Sequence, residues 1–245
     1  MIEVFKYPDT NSSRAGIDEM NRRFEGMKIA IVGIGGTGSY ILDLVSKTCV
    51  SEIHIFDGDV FQVHNAFRAP GACAIETFDA AGELTKVKYF AEIYSRMHNG
   101  IVPHTVYVDE SNVDLLEGFD FVFISVDRNK VRSFITRKLL GFKVPFIDVG
   151  MGIDKAGGQL VGTVRVTAAT HVRNEHLKNR IGSEEFAENQ YATNIQVADM
   201  NCFNAALAVH RWKKMVGFYQ DLKQEFNNLY SINTSKLFNE DLPEV

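Results

Sequence analysis

The stretch KIAIVGIGGTGSYILDLVSK, residues 28–47, decides how the rest of the chain reads. Residues 28–33, KIAIVG, are continuous, apolar and β-branched, the composition of a short strand buried on both faces. Gly33, Gly35, Gly36 and Gly38 come next, and residues 37–48 set Tyr40, Ile41, Leu44 and Val45 along one side of a helix. A glycine loop between strand and helix is the context a phosphate site requires. Glycine allows the tight turn and the close approach of backbone to phosphate, and the helix N-terminus supplies free N–H groups and a positive dipole end. Gly33, Gly35 and Gly38 also fit G-x-G-x-x-G. Taken alone, the loop is compatible with a structural turn, and it does not separate NAD from ATP.

Outward from the loop, strands and helices alternate. Residues 52–57, EIHIFD, read as a second strand ending in an acid. A helix over 83–98 places Val87, Phe90, Ala91 and Tyr94 at helical spacing, and strands are expected at 102–108, 120–127 and 144–150, with a helix from Arg128 to Leu140 between the last two. Such alternation means βαβ units, right-handed crossovers and an α/β, doubly wound, Rossmann-like sheet that is mostly parallel. After Gly150 the pattern changes. Residues 157–170 alternate like an antiparallel strand, 171–191 read as loop with a short helix, and 194–219 as a long helix. That helix has an Ala-rich middle suited to burial against the sheet or a partner subunit. One short strand, 228–233, and a loose acidic end complete the antiparallel C-terminal extension. Residues 1–26 form an N-terminal arm with a short helix at 17–24, and 27–245 form the main domain.

Composition excludes several classes. At 45% hydrophobic and 23% charged, the 245 residues can fill a sizeable core. The net charge of −5 comes without a basic stripe, so no nucleic-acid partner is expected. Cys49, Cys73 and Cys202 form no CxxC pair, so neither a zinc knuckle nor a disulfide framework is indicated. The N-terminus lacks the apolar core of a signal peptide, and no apolar run approaches the ~18 residues of a membrane span. The expectation is a cytoplasmic protein without membrane contact, its thiols reduced.

The residues downstream of the loop choose the nucleotide. Asp57 lies 57 − 38 = 19 residues past Gly38, where a carboxylate meets a ribose hydroxyl, and both nucleotide readings predict it. Asp59 follows, then Asn65 and Arg68 three apart. A triphosphate calls for the planar, permanently charged, bidentate guanidinium that an NAD site does not generally need. Lys86 precedes an amphipathic helix and, alone, would read as a solvated charge. Asp127 ends a central strand, where a carboxylate beside phosphates can hold Mg²⁺, although a lone Asp there also suits a helix N-cap.

In this order and spacing, GxGGxGS, D-x-D, N-x-x-R, the lysine, and Asp127 five before Arg132 resemble the ThiF/MoeB/HesA family and the adenylation domains of ubiquitin-activating enzymes. Gly36 to Asp57 spans 57 − 36 = 21 residues and Asp57 to Arg68 spans 68 − 57 = 11, close to that family's spacing. The resemblance runs over roughly residues 12 to 220. It implies a nucleotide loop at Gly33, Gly35, Gly36 and Gly38, ribose contact at Asp57 with Asp59 beside it, phosphate contacts at Asn65, Arg68 and Lys86, and Mg²⁺ on Asp127. The stretch SSRAGI is similar to the family's N-terminal arginine motif, which implies that Arg14 acts in trans within a homodimer. The implied reaction is ATP-dependent adenylation of the C-terminal carboxylate of a ubiquitin-like protein. Catalytic roles then fall to Arg14, Arg68, Lys86 and Asp127, with ATP and Mg²⁺ as cofactors.

Departures from the family pattern narrow the reading. The two CxxC pairs of many members are missing, so a zinc site is not expected. Arg128 stands where Asn is common. No cysteine occurs in 165–195, the usual thioester region. Cys202, inside the long helix, reads as a buried structural thiol, and Cys73 is the one plausible reactive thiol. The enzyme is thus expected to stop at the adenylate or to hand it to a thiol-bearing conjugation partner. HNAFRAPGA and YATNIQVADMNCFNAALAVHRWKK look like bacterial ThiF-type adenylyltransferases, whose likeness implies a domain of a longer parent. Two other readings stand beside this one: an NAD(P)-dependent oxidoreductase, for which no Tyr-x-x-x-Lys or His–Asp pair stands out, and a non-catalytic homologue binding a ubiquitin-like partner.

Overall fold

The computed structural model of the protein describes residues 4–79, 84–181 and 195–241. In chain order the described elements are α1 (Thr10–Ala15), α2 (Asp18–Asn21), β1 (Lys28–Val32), α3 (Gly36–Val45), β2 (Glu52–Phe56), α4 (Val63–Ala66), α5 (Lys86–Tyr94), β3 (Ile101–His104), β4 (Phe121–Ile124), α6 (Asn129–Phe142), β5 (Phe146–Ala156), β6 (Gln159–Ala169), α7 (Leu177–Arg180), α8 (Ala198–Met215), β7 (Asn227–Ser231) and β8 (Lys236–Glu240). One sheet holds all eight strands in the order β3-β2-β1-β4-β5-β6-β7-β8. The pairs from β3 to β5 are parallel and those from β5 to β8 antiparallel. This is the expected α/β, doubly wound, mostly parallel sheet with an antiparallel extension.

The continuous apolar runs follow from covering the sheet on both faces. Along β1, Ile29 and Ile31 enter one core while Ala30 and Val32 enter the other. Phe121 and Phe123 of β4 divide from Val122 and Ile124 in the same way. Successive side chains point to opposite faces, so a strand covered twice carries no polar alternation. Residues of α3, α5 and α8 fill the first core, and Ile135 and Leu139 of α6 fill the second.

Helix α8 turns Asn201, Asn204, Ala205, Ala208, Val209 and Trp212 inward, a stripe at helical spacing. It packs on α3, β5 and β6, in keeping with burial against the sheet. Cys202 therefore falls on the outer side of that stripe and is exposed, which corrects the expectation of a buried thiol. The segment before β1 is pinned by Phe24, fully buried against Trp212 with ring centroids 5.0 Å apart.

Boundaries differ from expectation in several places. Strand β5 does not end at Gly150 but runs to Ala156, and the sheet reverses at Gly157 and Gly158, whose φ values of 57° and 78° make a two-residue hairpin turn. Only after that turn does β6 begin. Strand β3 stops at His104, short of the expected 108. Two strands follow the long helix where one is expected, and β8 is the addition. Its residues KLFNE, 236–240, are exposed or half-buried throughout, so no hydrophobic period marks them. The helix expected over 83–98 is shorter, Lys86–Tyr94 with Thr85 as its N-cap; residue 83, residues 182–194 of the polar segment before α8 and the acidic end at 242–245 lie outside the described residues.

Candidate functional site

In the order β3-β2-β1-β4-β5 the chain leaves β1 for β2 on one side, while β4 lies on the other. The crevice beyond the carboxyl ends of β1 and β4 is the topological switch point, where open α/β sheets bind ligands. Here the protein has a cleft of about 470 Å³. Its walls include Gly33, Gly35, Gly36 and Thr37 from the glycine loop, Asp57 and Asp59 after β2, Arg68, Lys86, and Ser125 to Arg128 after β4.

The four glycines have different reasons to be glycine. Gly33 has φ +88°, and a Cβ there would meet the Ser125 carbonyl oxygen at 2.4 Å. A Cβ on Gly38 would lie 1.9 Å from the Gly33 carbonyl oxygen, and one on Gly36 would lie 2.1 Å from the Asn201 amide. Packing requires all three. Gly35 is different: it lines the cleft, yet an added Cβ would meet nothing within 4 Å. It is the N-cap of α3, and no side chain caps that helix end. The first N–H groups of a helix have no intrahelical partners, so this end presents open donors and a positive dipole end to the cleft.

Asp57 ties the loop to β2. Its Oδ2 accepts from the Ile34 N–H at 2.9 Å and its Oδ1 from the Asp59 N–H at 2.8 Å, and it is buried. Lys86, the first residue of α5, is also buried; its ammonium pairs with Asp59 and lies 3.6 Å from Asp57. Its own N–H donates to the Asp59 carbonyl at 2.9 Å. Burial would raise the Asp59 carboxyl, but hydrogen bonds from Lys86 and the exposed Tyr107 outweigh it and hold the group below the usual carboxylate range. Arg68 has a buried Nε without a hydrogen-bond partner. Burial lowers its pKa, against the pull of Asp127 and Asp59. A desolvated guanidinium with an unused donor is a site prepared for an anion.

Asp127 is exposed and makes no hydrogen bond or ion pair among the described residues. It does not cap α6, whose N-cap is Arg128. No group of three or more His, Cys, Asp or Glu gathers around a possible metal position among the described residues. One free carboxylate in this cleft fits Mg²⁺, which is commonly held by one or two carboxylates plus substrate phosphates.

Three of the expected residues are placed elsewhere. Asn65 is buried, and its Oδ1 accepts from the Gln62 N–H at 2.8 Å, the capping box of α4. Gly38 sits beneath the loop rather than in the cleft wall. Arg14, in the last turn of α1, is exposed and outside the cleft lining. Cys73 is half-buried and packs on the core, and burial raises the Cys49 thiol to about 11. Neither thiol lines the cleft.

Sequence reasoning missed Asn201 and Asp148 behind the site and marked Arg132 only as part of a motif. Asn201 of α8 is fully buried; its Oδ1 accepts from the Thr37 hydroxyl at 3.0 Å and its Nδ2 donates to the Arg68 carbonyl at 3.3 Å. One amide thus joins the glycine loop to the loop of Arg68. Arg132 donates to the Val126 carbonyl at 2.5 Å and the Val149 carbonyl at 3.2 Å, bracing the turn that carries Asp127. Behind it Asp148, fully buried, pairs with Arg132 at 2.8 Å and Arg165 at 2.5 Å. Removing the charge of Asp148 leaves two guanidinium groups facing each other in the sheet. Asp148→Asn is expected to cost about 3 kcal/mol of stability, the low end for breaking a buried pair, as read by denaturant unfolding. An unchanged midpoint would refute this.

Comparison with known proteins bears on the family and the fold. The chain is 20% identical over 134 residues to the SUMO-activating enzyme subunit uba-2 of Caenorhabditis elegans, covering 55% of this chain and 23% of that one. It therefore spans about a quarter of the length of that relative. In fold it is similar to E. coli MccB solved with ATP, at TM-score 0.73 and 14% identity over 98% of this chain and 73% of that one. E. coli MccB with MccA-N7isoASN gives TM-score 0.72 at 13% identity over 98% and 73% of the two chains. PaaA gives 0.69 at 13% over 98% and 76%. The family model of the ThiF family matches residues 11–235, from α1 to beyond β7, and so takes in the glycine loop, the cleft and its supports. The chain belongs to the ThiF family.

Proposed function

We propose that the protein is an ATP-dependent adenylyltransferase that activates the C-terminal carboxylate of a ubiquitin-like protein. The observation that carries this reading is the meeting of Arg68, Lys86 and Asp127 with the uncapped end of α3 in one cleft. A dinucleotide site has no general need for that set of charges. Family membership supports the reading, as do the names of the relatives: MccB has been solved with ATP and with MccA, and uba-2 is a SUMO-activating subunit.

The substrate carboxylate is already ionised at neutral pH, so no general base is needed. One of its oxygens attacks the α-phosphorus of ATP, the bond from that phosphorus to the bridging oxygen breaks, and pyrophosphate leaves with the electron pair. An acyl-adenylate remains. The protein's part is positioning and charge neutralisation. Asp57 meets the ribose, the α3 end and Gly35 receive phosphate oxygens, and Arg68 and Lys86 neutralise the charge that builds on the departing pyrophosphate. Asp127 would hold Mg²⁺, which supplies further positive charge to the phosphates when bound. Arg14 reaches the phosphates of a second subunit in a homodimer. With no thiol in the cleft wall among the described residues, the reaction stops at the adenylate or hands it to a thiol-bearing partner.

The test is ATP–pyrophosphate exchange with candidate ubiquitin-like proteins from the same genome. Asp127→Ala is expected to reduce exchange by about 100-fold, the lower end of the range for removing one preorganised electrostatic contact. Exchange that depends on one partner and falls in the variant supports adenylation. Undiminished exchange in Asp127→Ala removes the assigned role, and ATP binding without exchange for any partner favours a binding module.

A further inference from the structure

A second cavity, of about 790 Å³, shares no lining residue with the nucleotide cleft. It lies between the N-terminal arm and the end of α8, and its apolar wall includes Phe5, Tyr7, Met20, Met97, Phe218 and Tyr219. Cavities of roughly 300–1,000 Å³ with aromatic walls and few polar groups are the usual seats of small ligands.

Three charged residues line the cavity, and two are already committed. Asp9 caps α1: it accepts from the Asn11 and Ser12 N–H groups, both at 3.0 Å, and from the Ser12 hydroxyl at 2.5 Å. Lys47 pairs with the Asp43 carboxylate at 2.5 Å and donates to the Asp43 carbonyl at 3.0 Å. Lys213 is different. Half-buried, it makes no hydrogen bond or ion pair among the described residues, and burial lowers its pKa.

The turn after α8 builds the surroundings of this ammonium. Gly217 has φ 78° and turns the chain back, and the Phe218 and Tyr219 N–H groups both donate to the Lys213 carbonyl, at 2.8 Å and 3.3 Å. Their rings then fold over the side chain. Nζ lies 4.8 Å from the ring centroid of Phe218, 6.0 Å from that of Tyr219 and 5.6 Å from that of Phe24. Ring faces attract a cation, but they do not replace the anion or the hydrogen bonds that a desolvated ammonium calls for.

We propose that this cavity binds a small amphiphilic monoanion, a carboxylate on an aromatic body, with the carboxylate on the Lys213 ammonium. The body lies between Phe5, Tyr7, Met20 and Met97, where ring and thioether contacts favour an aromatic group. Asp9, in the same wall, counts against a second negative charge on the ligand. Bound there, the ligand ties the arm that carries Arg14 to the end of α8. The site stands apart from the nucleotide cleft, so its test does not depend on adenylation.

Phenylbutyrate and phenylbutyramide, the same body with and without the charge, are the probes. By calorimetry on the full chain, the carboxylate is expected to bind at least about tenfold more tightly than the amide, the factor for one charge-assisted contact. Saturating ATP·Mg²⁺ should leave both affinities unchanged. In Lys213→Met, which keeps an apolar stem against the rings, the ratio should fall to near one while the amide still binds. Lys213→Arg should keep the preference. In the wild type, phenylbutyrate should also slow acetylation of Lys213 by acetic anhydride, read by mass spectrometry, while the exposed Lys88 reacts as before. That readout needs no variant. Equal binding of the two probes by the wild type, or binding of neither, overturns the proposal. So does a preference that survives in folded Lys213→Met, or a Lys213 that phenylbutyrate leaves unprotected. Competition with ATP would put the probe in the nucleotide cleft, and loss of binding as protein concentration rises would make a second copy the occupant; either result overturns the proposal as well.

Discussion

Arg68→Ala is expected to lose ATP affinity by about 10²- to 10³-fold while leaving the unliganded protein as stable as the wild type. The two halves of this result come from one observation. The Arg68 Nε is buried with no hydrogen-bond partner, and burial lowers the pKa of its guanidinium. In the unliganded protein the group costs desolvation and returns little, so its removal costs the fold little. With a triphosphate present, the same group makes charge-assisted hydrogen bonds worth about 1.5–3 kcal/mol each, and losing one or two accounts for the expected factor. Calorimetric titration with ATP·Mg²⁺, together with unfolding of the free protein, reads both. Unchanged affinity would remove Arg68 from the phosphate site, and a large loss of stability would make it a structural residue.

Gly35 and Gly38, in the same loop, should behave in opposite ways. Gly38→Ala is expected to destabilise by more than about 4 kcal/mol, a loss in the range reserved for a named steric cause. Its Cβ would lie 1.9 Å from the Gly33 carbonyl oxygen, which is backbone and has nowhere to go. Gly33 is itself held by its N–H to the Phe56 carbonyl at 2.8 Å and stands against Ser125. Against a total stability of about 5–15 kcal/mol, such a loss leaves a marginal protein. Gly35→Ala should fold with near wild-type stability, because its Cβ meets nothing. It should bind ATP about tenfold more weakly or worse, since the methyl takes the space over the α3 end that a phosphate would approach. Denaturant unfolding and ATP titration on both variants separate the roles. Equal stability loss in the two would show that Gly35 is glycine for the fold's sake.

Much of the fold is legible because its strands are covered on both faces. The apolar runs at β1 and β4 answer to that double coverage, and the alternation of strands with amphipathic helices implies the parallel order. Where coverage ends, so does the signal. Strand β8 is an edge strand with exposed or half-buried residues throughout, and nothing in KLFNE distinguishes it from a loop. The extension of β5 through MGIDKA is half-solvated and carries no continuous apolar run, although the Gly157–Gly158 pair marks the turn that ends it. Cys202 could be assigned to the outer face of α8 from its position beside Asn201, but only if the inward stripe were known to begin at an asparagine rather than at the alanines. Buried asparagines at 201 and 204 break the rule that polar residues face water, and what they answer to is three-dimensional.

The doubly wound architecture, the glycine loop between β1 and α3, and the charges at 57, 68, 86 and 127 were all present in the order of residues, because strand period and residue chemistry are local properties. Which glycines serve packing and which serves a ligand was settled by packing in space, since that depends on the distance from each Cα to Ser125, Asn201 or Gly33. Spatial packing also determined that Asn65 caps a helix, that Arg68 keeps an unused buried donor, and that Asp148 and Asn201 reach the site from β5 and α8. From Gly38 these two lie 148 − 38 = 110 and 201 − 38 = 163 positions away. No local pattern spans such separations, and whether a buried polar group is satisfied is set by its neighbours in space.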